Sequence, residues 1–91
     1  MITREGDRLN VSGALTMDTV AGLYDADFAS SSGALVVDLA QVDTADSAAV
    51  GLMLAWLRRA QRENVELRFT NAPVSVTSLA RVYGVDDALH I

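Results

Sequence analysis

The stretch that decides the fold is residues 35–57, which read LVVDLAQVDTADSAAVGLMLAWL. It begins with an apolar, β-branched run typical of a buried strand and continues through a short acidic turn at Val42-Asp43. An apolar helix follows, which opens at Ser47, a residue type suited to a helix start, and meets its first charged side chain only at Arg58. A helix with a single packing face carries polar residues on its other side. This helix is therefore predicted to bury or bind something on more than one side.

A helical wheel with about 100° per residue assigns the faces of this helix. The predicted core stripe is centred on Val50 and contains Met53, Leu54, Leu57 and Gln61. The opposite side, with Trp56 at its flank, is the predicted partner interface, and its members are Ser47, Ala48, Gly51, Leu52, Ala55, Trp56 and Arg59. The alternative for Trp56 is that it closes the edge of the core beside Met53 and Ala60. Because apolar surface away from the core usually marks a docking site, the pattern predicts a binding protein and not an enzyme.

The composition indicates one globular domain spanning residues 1–91, with 51% apolar and 21% charged residues. A net charge of -5 argues against nucleic acid and anionic lipid as partners. Cysteine is absent, so disulfides and thiolate metal sites are excluded. The longest apolar run is about half of what a membrane span requires, and the first residues do not resemble a secretory leader. We therefore expect a cytoplasmic protein without direct membrane insertion.

Hydrophobic periodicity predicts the order β-β-α-β-α-β-α, and hence an α/β fold with helices packed on a small mixed sheet. Gly6-Asp7 is the predicted hairpin turn between the first two strands, and Gly84 ends the last helix. The first helix is capped by Thr16, and the last has an inner stripe of Val76, Leu79, Ala80 and Tyr83. The predicted elements are strands 2–5 and 8–12, helix 16–28, strand 34–38, helix 47–63, strand 66–70, and a last helix that starts at residues 71–73.

Few residues in the chain are candidates for chemistry. Ser47 sits at a helix start, where it serves either as a cap together with Asp46 or as a candidate phosphorylation site. Three carboxylates, Asp38, Asp43 and Asp46, lie near one end of the sheet, but their spacing matches no calcium loop. The single histidine, His90, has no orienting partner that would make it a catalytic base. We therefore expect no catalytic residue, cofactor or metal.

The strand at residues 35–39, Asp46-Ser47 before an apolar helix, and the late segment LARVYGV at 79–85 together resemble a STAS domain over nearly the whole chain. Bacterial anti-sigma factor antagonists have this fold and usually read DSSGLG or DSTGLG where this chain reads DSAAVG at 46–51. In them an anti-sigma kinase phosphorylates the serine that follows the aspartate. That branch implies phosphorylation of Ser47, although alanines replace the second hydroxyl and the first glycine.

A second branch resembles the chain more closely: the small STAS subunits of Mla-type, toluene-tolerance phospholipid ABC transporters. They have a similar length, a hydroxyl residue at the Ser47 position, and a last helix ending in a pattern like Leu79-Ala80-Arg81-Val82-Tyr83. This resemblance implies a cytoplasmic accessory subunit, peripheral at the inner membrane, that binds and supports the ATPase subunit and contributes to outer-membrane lipid asymmetry. The alternative remains an anti-sigma factor antagonist whose partner is an anti-sigma kinase.

Overall fold

Four strands form one mixed sheet in the spatial order β1-β2-β3-β4. In the computed structural model, which describes residues 1–91, they span β1 (Ile2–Glu5), β2 (Arg8–Leu15), β3 (Ala34–Ala45) and β4 (Glu66–Thr70). β1 and β2 form the predicted antiparallel hairpin, whereas β2 with β3 and β3 with β4 are parallel. The second parallel pair is joined by helix α1 (Ser47–Arg62), the usual kind of crossover between parallel strands. The predicted α/β architecture is confirmed.

One face of the sheet carries the core. Alternate strand residues are buried on it, while their neighbours on the other face are polar or only partly covered. The helix α1 and the following helix α2 (Val74–Val82) pack on the buried face. The strand residues of this core are Leu9, Val11, Leu15, Leu35, Val37, Leu39, Val42 and Leu67. A sheet covered on one face leaves its other face exposed to solvent.

The predicted turn at Val42-Asp43 is wrong, because β3 continues through it to Ala45. The extension pairs with a longer β2, which likewise continues past its predicted end at residue 12 and ends at Leu15. The register shifts on both sides of Gly13, whose φ of +84° accommodates the irregularity. Val42 is buried, so pairing and burial hold this segment in the sheet against its turn-like composition.

The predicted helix over 16–28 is also wrong: only a single 3-10 turn forms there, at Val20–Gly22. We call residues 17–33, which cross from β2 to β3, the strap. Its backbone acceptors are used by side chains of α1, since the carbonyl oxygen of Leu23 binds Trp56 and that of Tyr24 binds Arg59. Asp27 also bonds to the backbone N–H of Ala29, a local contact that competes with helix formation.

The C-terminal part follows the prediction more closely. The helix α2 begins directly after Pro73, and Gly84 ends it with a φ of +69°. In its predicted inner stripe Val76 and Ala80 are buried, but Tyr83 is 56% exposed. A short helix α3 (Asp86–Leu89) then packs Leu89 into the core. None of the helices combines the length and the apolar character needed to cross a membrane.

Candidate functional site

The helix α1 starts with a cap supplied by Asp46. Its Oδ1 accepts a hydrogen bond from the backbone N–H of Ala48 at 2.8 Å, and its Oδ2 accepts one from that of Met17 at 3.2 Å. Ser47 is the first helical residue, and its exposed side chain makes no hydrogen bond within the chain. The capping role that the sequence assigned jointly to Asp46 and Ser47 therefore belongs to Asp46 alone. The hydroxyl of Ser47 faces solvent.

The predicted orientation of α1 is wrong by about a quarter turn on a wheel of 100° per residue. Leu52, predicted to face a partner, is fully buried, and Trp56 is fully buried with Met53 and Ala60, as its alternative interpretation expects. Leu54 and Leu57, predicted to be core, are only half-buried. The buried stripe consists of Ala49, Val50, Leu52, Met53, Trp56 and Ala60. Apolar residues surround most of this helix, so periodicity alone could not select the side that faces the sheet.

Two further residues of the predicted interface lie on the flank that faces the strap. The guanidinium of Arg59 donates to the carbonyl of Tyr24 at 3.1 Å and to Glu63 at 2.7 Å, and it stacks 4.3 Å from the ring centre of Phe28. Arg59 thus holds the strap in place. Ala48 is half-buried on the same flank. Among the predicted interface residues, Ser47 and Gly51 are exposed and Ala55 is partly exposed.

The surface of α1 that remains accessible is a row of residues one turn apart. We call this row the outer face of α1, and its members are Ser47, Gly51, Leu54, Arg58 and Arg62. Beside its first half lies a groove of about 330 Å³, the α1–α2 groove, which Tyr83 and Val85 complete from the other side. The lining of the groove is Ser47, Val50, Gly51, Leu54, Tyr83 and Val85. Sequence reasoning missed Leu54, Tyr83 and Val85, because it placed the first two in the core.

Further exposed apolar side chains lie on α2. Val82 is 80% exposed at the end of α2, and Val74 is 77% exposed at its start. Tyr83, at the C-terminal end of α2, is 56% exposed beside the groove, and apolar surface of this kind marks docking sites. The groove contains no histidine, lysine or carboxylate that could activate Ser47. The arrangement is suited to binding another protein.

The three carboxylates considered as metal ligands lie in separate environments. Asp38 pairs with Arg8 across the open face of the sheet, Asp46 caps α1, and Asp43 is exposed on β3. No three carboxylate or histidine side chains converge in the structure. The backbone N–H of Ala40 bonds to Asp38 at 2.9 Å, and with Arg8 it holds the pKa of that carboxyl below its usual value. His90 is exposed at the end of α3.

Comparisons with solved structures find this fold in proteins of different kinds. A crystal structure of Mglu matches with a TM-score of 0.58 and 27% identity, covering 77% of this chain and 19% of Mglu. The native form of Mglu matches with a TM-score of 0.54 and 20% identity, covering 75% of this chain and 22% of that one. The chain thus spans about a fifth of the length of Mglu.

The anti-sigma factor antagonist SpoIIAA, in its unphosphorylated form, matches over more of both chains. Its TM-score is 0.61, with 93% of this chain and 81% of SpoIIAA covered, and its 12% identity makes the likeness one of fold. No curated protein matches the sequence significantly. A family model described as "Mlab, STAS domain" matches residues 1–91, the whole chain. With the sheet order and the capped central helix in place, this match shows that the chain belongs to the STAS domain family, in its MlaB-like group.

Proposed function

We propose that this chain is the accessory subunit of a phospholipid-transporting ABC complex, where it binds the ATPase subunit. In this role it lies in the cytoplasm, peripheral at the inner membrane through its partner, and contributes to outer-membrane lipid asymmetry. The MlaB-like family match over the whole chain supports the proposal. The contact surface we propose is the outer face of α1 with the α1–α2 groove, which replaces the interface expected from the helical wheel.

Gly51 is the observation that carries this proposal. Glycine in the middle of a helix costs about 1 kcal/mol relative to alanine. A Cβ built on Gly51 would meet nothing within 4 Å, so no contact inside the chain requires glycine there. The residue lies on the outer face of α1 and lines the groove. A partner whose backbone or side chains approach α1 closely explains a glycine that the isolated domain does not need.

The proposal is tested by adding a side chain at that position. Gly51→Gln should leave the fold intact, because the space is open, but should abolish co-purification with the ATPase subunit from native membranes. Thr3→Arg, an exposed change on β1, is the matched control and should leave co-purification unchanged. If Gly51→Gln co-purifies as wild type does, the outer face of α1 is not the contact. If wild type does not bind the ATPase subunit, the proposed function is wrong.

A second candidate function is that of an anti-sigma factor antagonist switched by phosphorylation of Ser47. It is favoured by the exposed hydroxyl of Ser47, which has no partner in the chain, and by the fold shared with SpoIIAA. A phosphate there would add about -1.5 to -2 charges at the positive end of the helix dipole. In this role the partner is an anti-sigma kinase.

Ser47→Asp distinguishes the two functions. The cap at Asp46 is untouched, so the variant should fold normally in either case. In an antagonist it should mimic the phosphorylated form and release an anti-sigma partner, and a purified anti-sigma kinase should phosphorylate wild type but not Ser47→Ala. In a transporter subunit Ser47→Asp should weaken binding to the ATPase subunit. Genes for a permease and an ATPase beside this one favour the transporter, whereas a sigma factor gene favours the antagonist.

A further inference from the structure

The arginines of this chain fall into two groups. Three of the seven form ion pairs with carboxylates of the chain: Arg4 with Asp7, Arg8 with Asp38, and Arg59 with Glu63. The other four make neither an ion pair nor a side-chain hydrogen bond, and they are Arg58, Arg62, Arg68 and Arg81. The chain has twelve acidic residues and a net charge of -5, so carboxylates for pairing are not scarce.

Two of the unpaired arginines continue the outer face of α1. Arg58 and Arg62 lie one and two turns beyond Leu54, at steps of about 6 Å along the helix. The helix dipole favours a cation in the last turn of α1, which accounts for Arg62. Arg58 precedes that turn, so the dipole does not account for it. The accessible side of α1 is thus apolar and concave in its first half and cationic in its second.

We propose that the segment which docks on this face is an acidic amphipathic segment of the partner protein. Its apolar side chain enters the α1–α2 groove between Leu54 and Tyr83, and its carboxylates lie against Arg58 and Arg62. This rests on the proposed function, with the ATPase subunit as the protein that carries the segment. Charge complementarity of this kind sets the register of docking and raises the rate of association.

An anionic membrane is a weaker candidate than an acidic protein segment for the partner of Arg58 and Arg62. Each basic residue near such a surface contributes only about 1 kcal/mol, and an extended membrane surface, unlike a short docking segment, also meets the acidic side chains that give the chain its net charge of -5. The concave groove beside the arginines also matches a protruding side chain better than a lipid surface. An acidic amphipathic segment of a protein therefore matches both the apolar groove and the two arginines of the outer face.

The first experiment measures binding of the purified ATPase subunit by titration calorimetry. Arg58→Glu with Arg62→Glu should weaken binding about tenfold or more, and raising NaCl from about 50 to about 500 mM should weaken wild type but not the double variant. Arg68→Glu is the matched control, since Arg68 is unpaired and exposed on β4 and does not belong to the outer face of α1. The double variant Arg58→Gln with Arg62→Gln removes the two charges without adding carboxylates at the end of the helix. Weaker binding of this variant would show that the attraction itself is lost. Circular dichroism checks that every variant is folded.

The outcomes separate the two proposals. If Gly51→Gln abolishes binding while the double charge reversal binds as wild type does, the contact surface stands and the acidic segment is wrong. If Arg68→Glu weakens binding as much as the double variant, the effect is one of net charge and the inference is overturned. If wild type does not bind the ATPase subunit, the proposed function fails, and the charge preference is then tested with peptides.

The peptide test uses two synthetic amphipathic helices of equal apolar content, one with glutamates and one with lysines. The acidic peptide should shift the amide resonances of Gly51, Leu54 and Arg58 in NMR titrations, and the basic peptide should not. Equal shifts from both peptides, or none from the acidic one, overturn the inference. Vesicles of phosphatidylglycerol and phosphatidylcholine should not sediment the protein. Sedimentation that depends on Arg58 and Arg62 would assign them to lipid and overturn it too.

Discussion

The indole Nε1 of Trp56 donates a hydrogen bond to the backbone carbonyl of Leu23 at 3.0 Å. This bond joins the middle of α1 to the strap, 33 residues earlier in the chain. The ring of Trp56 also meets that of Phe28 edge to face, with centres 6.0 Å apart. Trp56 is therefore a residue that holds the irregular crossover on the sheet, and its stability effect should be large.

Trp56→Phe should lower the free energy of unfolding by roughly 1–3 kcal/mol, because the carbonyl of Leu23 loses its donor in a part-buried site. Trp56→Ala should cost about 3–5 kcal/mol, since it also leaves a cavity. Urea denaturation followed by circular dichroism measures both. Val82→Ala, at an exposed position, is the control and should change stability by less than about 0.5 kcal/mol. A Trp56→Phe variant as stable as this control would mean that the bond does not hold the strap.

Substitutions of Leu52 and Leu54 should distinguish the buried side of α1 from its outer face. Leu52 is fully buried, so Leu52→Ala should cost about 2–5 kcal/mol of stability. Leu54 is half-buried beside the groove, so Leu54→Ala should cost clearly less but should weaken binding of the partner. Thermal unfolding and a binding titration on the same two variants give the comparison. The reverse ranking in stability would restore the orientation expected from the helical wheel.

Asp46, and not Ser47, should carry the stability of the helix start. Asp46→Ala removes the cap on Ala48 and the contact with Met17, and should cost about 1 kcal/mol or somewhat more. Ser47→Ala should cost less than about 0.5 kcal/mol, because its hydroxyl bonds to nothing in the chain. Asp46→Asn keeps an acceptor and serves as the matched control in denaturant unfolding. A larger loss from Ser47→Ala than from Asp46→Ala would show that the serine is the cap.

Asp38 should make stability depend on pH in the acid range. The N–H of Ala40, Arg8 and Asn71 stabilise its ionised form, so its pKa in the folded state lies below the value of about 3.9 in the unfolded chain. A lowered pKa stabilises the fold above the unfolded value, and this contribution disappears as the pH falls through the folded value.

Wild type should therefore exceed Asp38→Asn in stability most clearly near neutral pH, and the difference should shrink as the pH falls below about 4. Unfolding measured between about pH 7 and pH 3 tests this. Asp43→Asn is the control, because Asp43 is exposed and its removal breaks no contact. If the difference in stability between wild type and Asp38→Asn stays constant over this range, the ionised Asp38 does not stabilise the fold.

The sequence by itself determined the elements whose signals are local. Alternating apolar residues place β4 and the first part of β2, the Gly6-Asp7 turn places β1 beside β2, and the run from Ser47 to the arginines near Glu63 predicts α1 to within one residue. Gly84 takes the left-handed conformation that ends α2. These features depend on side-chain periodicity, capping and backbone sterics, which act within a few residues of the chain. The STAS family membership was also readable from such local patterns.

Only the tertiary structure decided which side of α1 faces the sheet and what the strap does. The helix is apolar on most sides because the strap covers one flank, as the contacts of Trp56 and Arg59 show, and the C-terminal helices cover the other. Ser47, Gly51, Arg58 and Arg62 follow helical spacing, but Leu54 in the middle of that row is as apolar as the buried residues, so the pattern does not single out the outer face. The strap forms no helix because side chains distant in sequence bind its carbonyls. The α1–α2 groove likewise depends on the tertiary structure, because Tyr83 and Val85 are distant in sequence from Gly51 and line the groove with it.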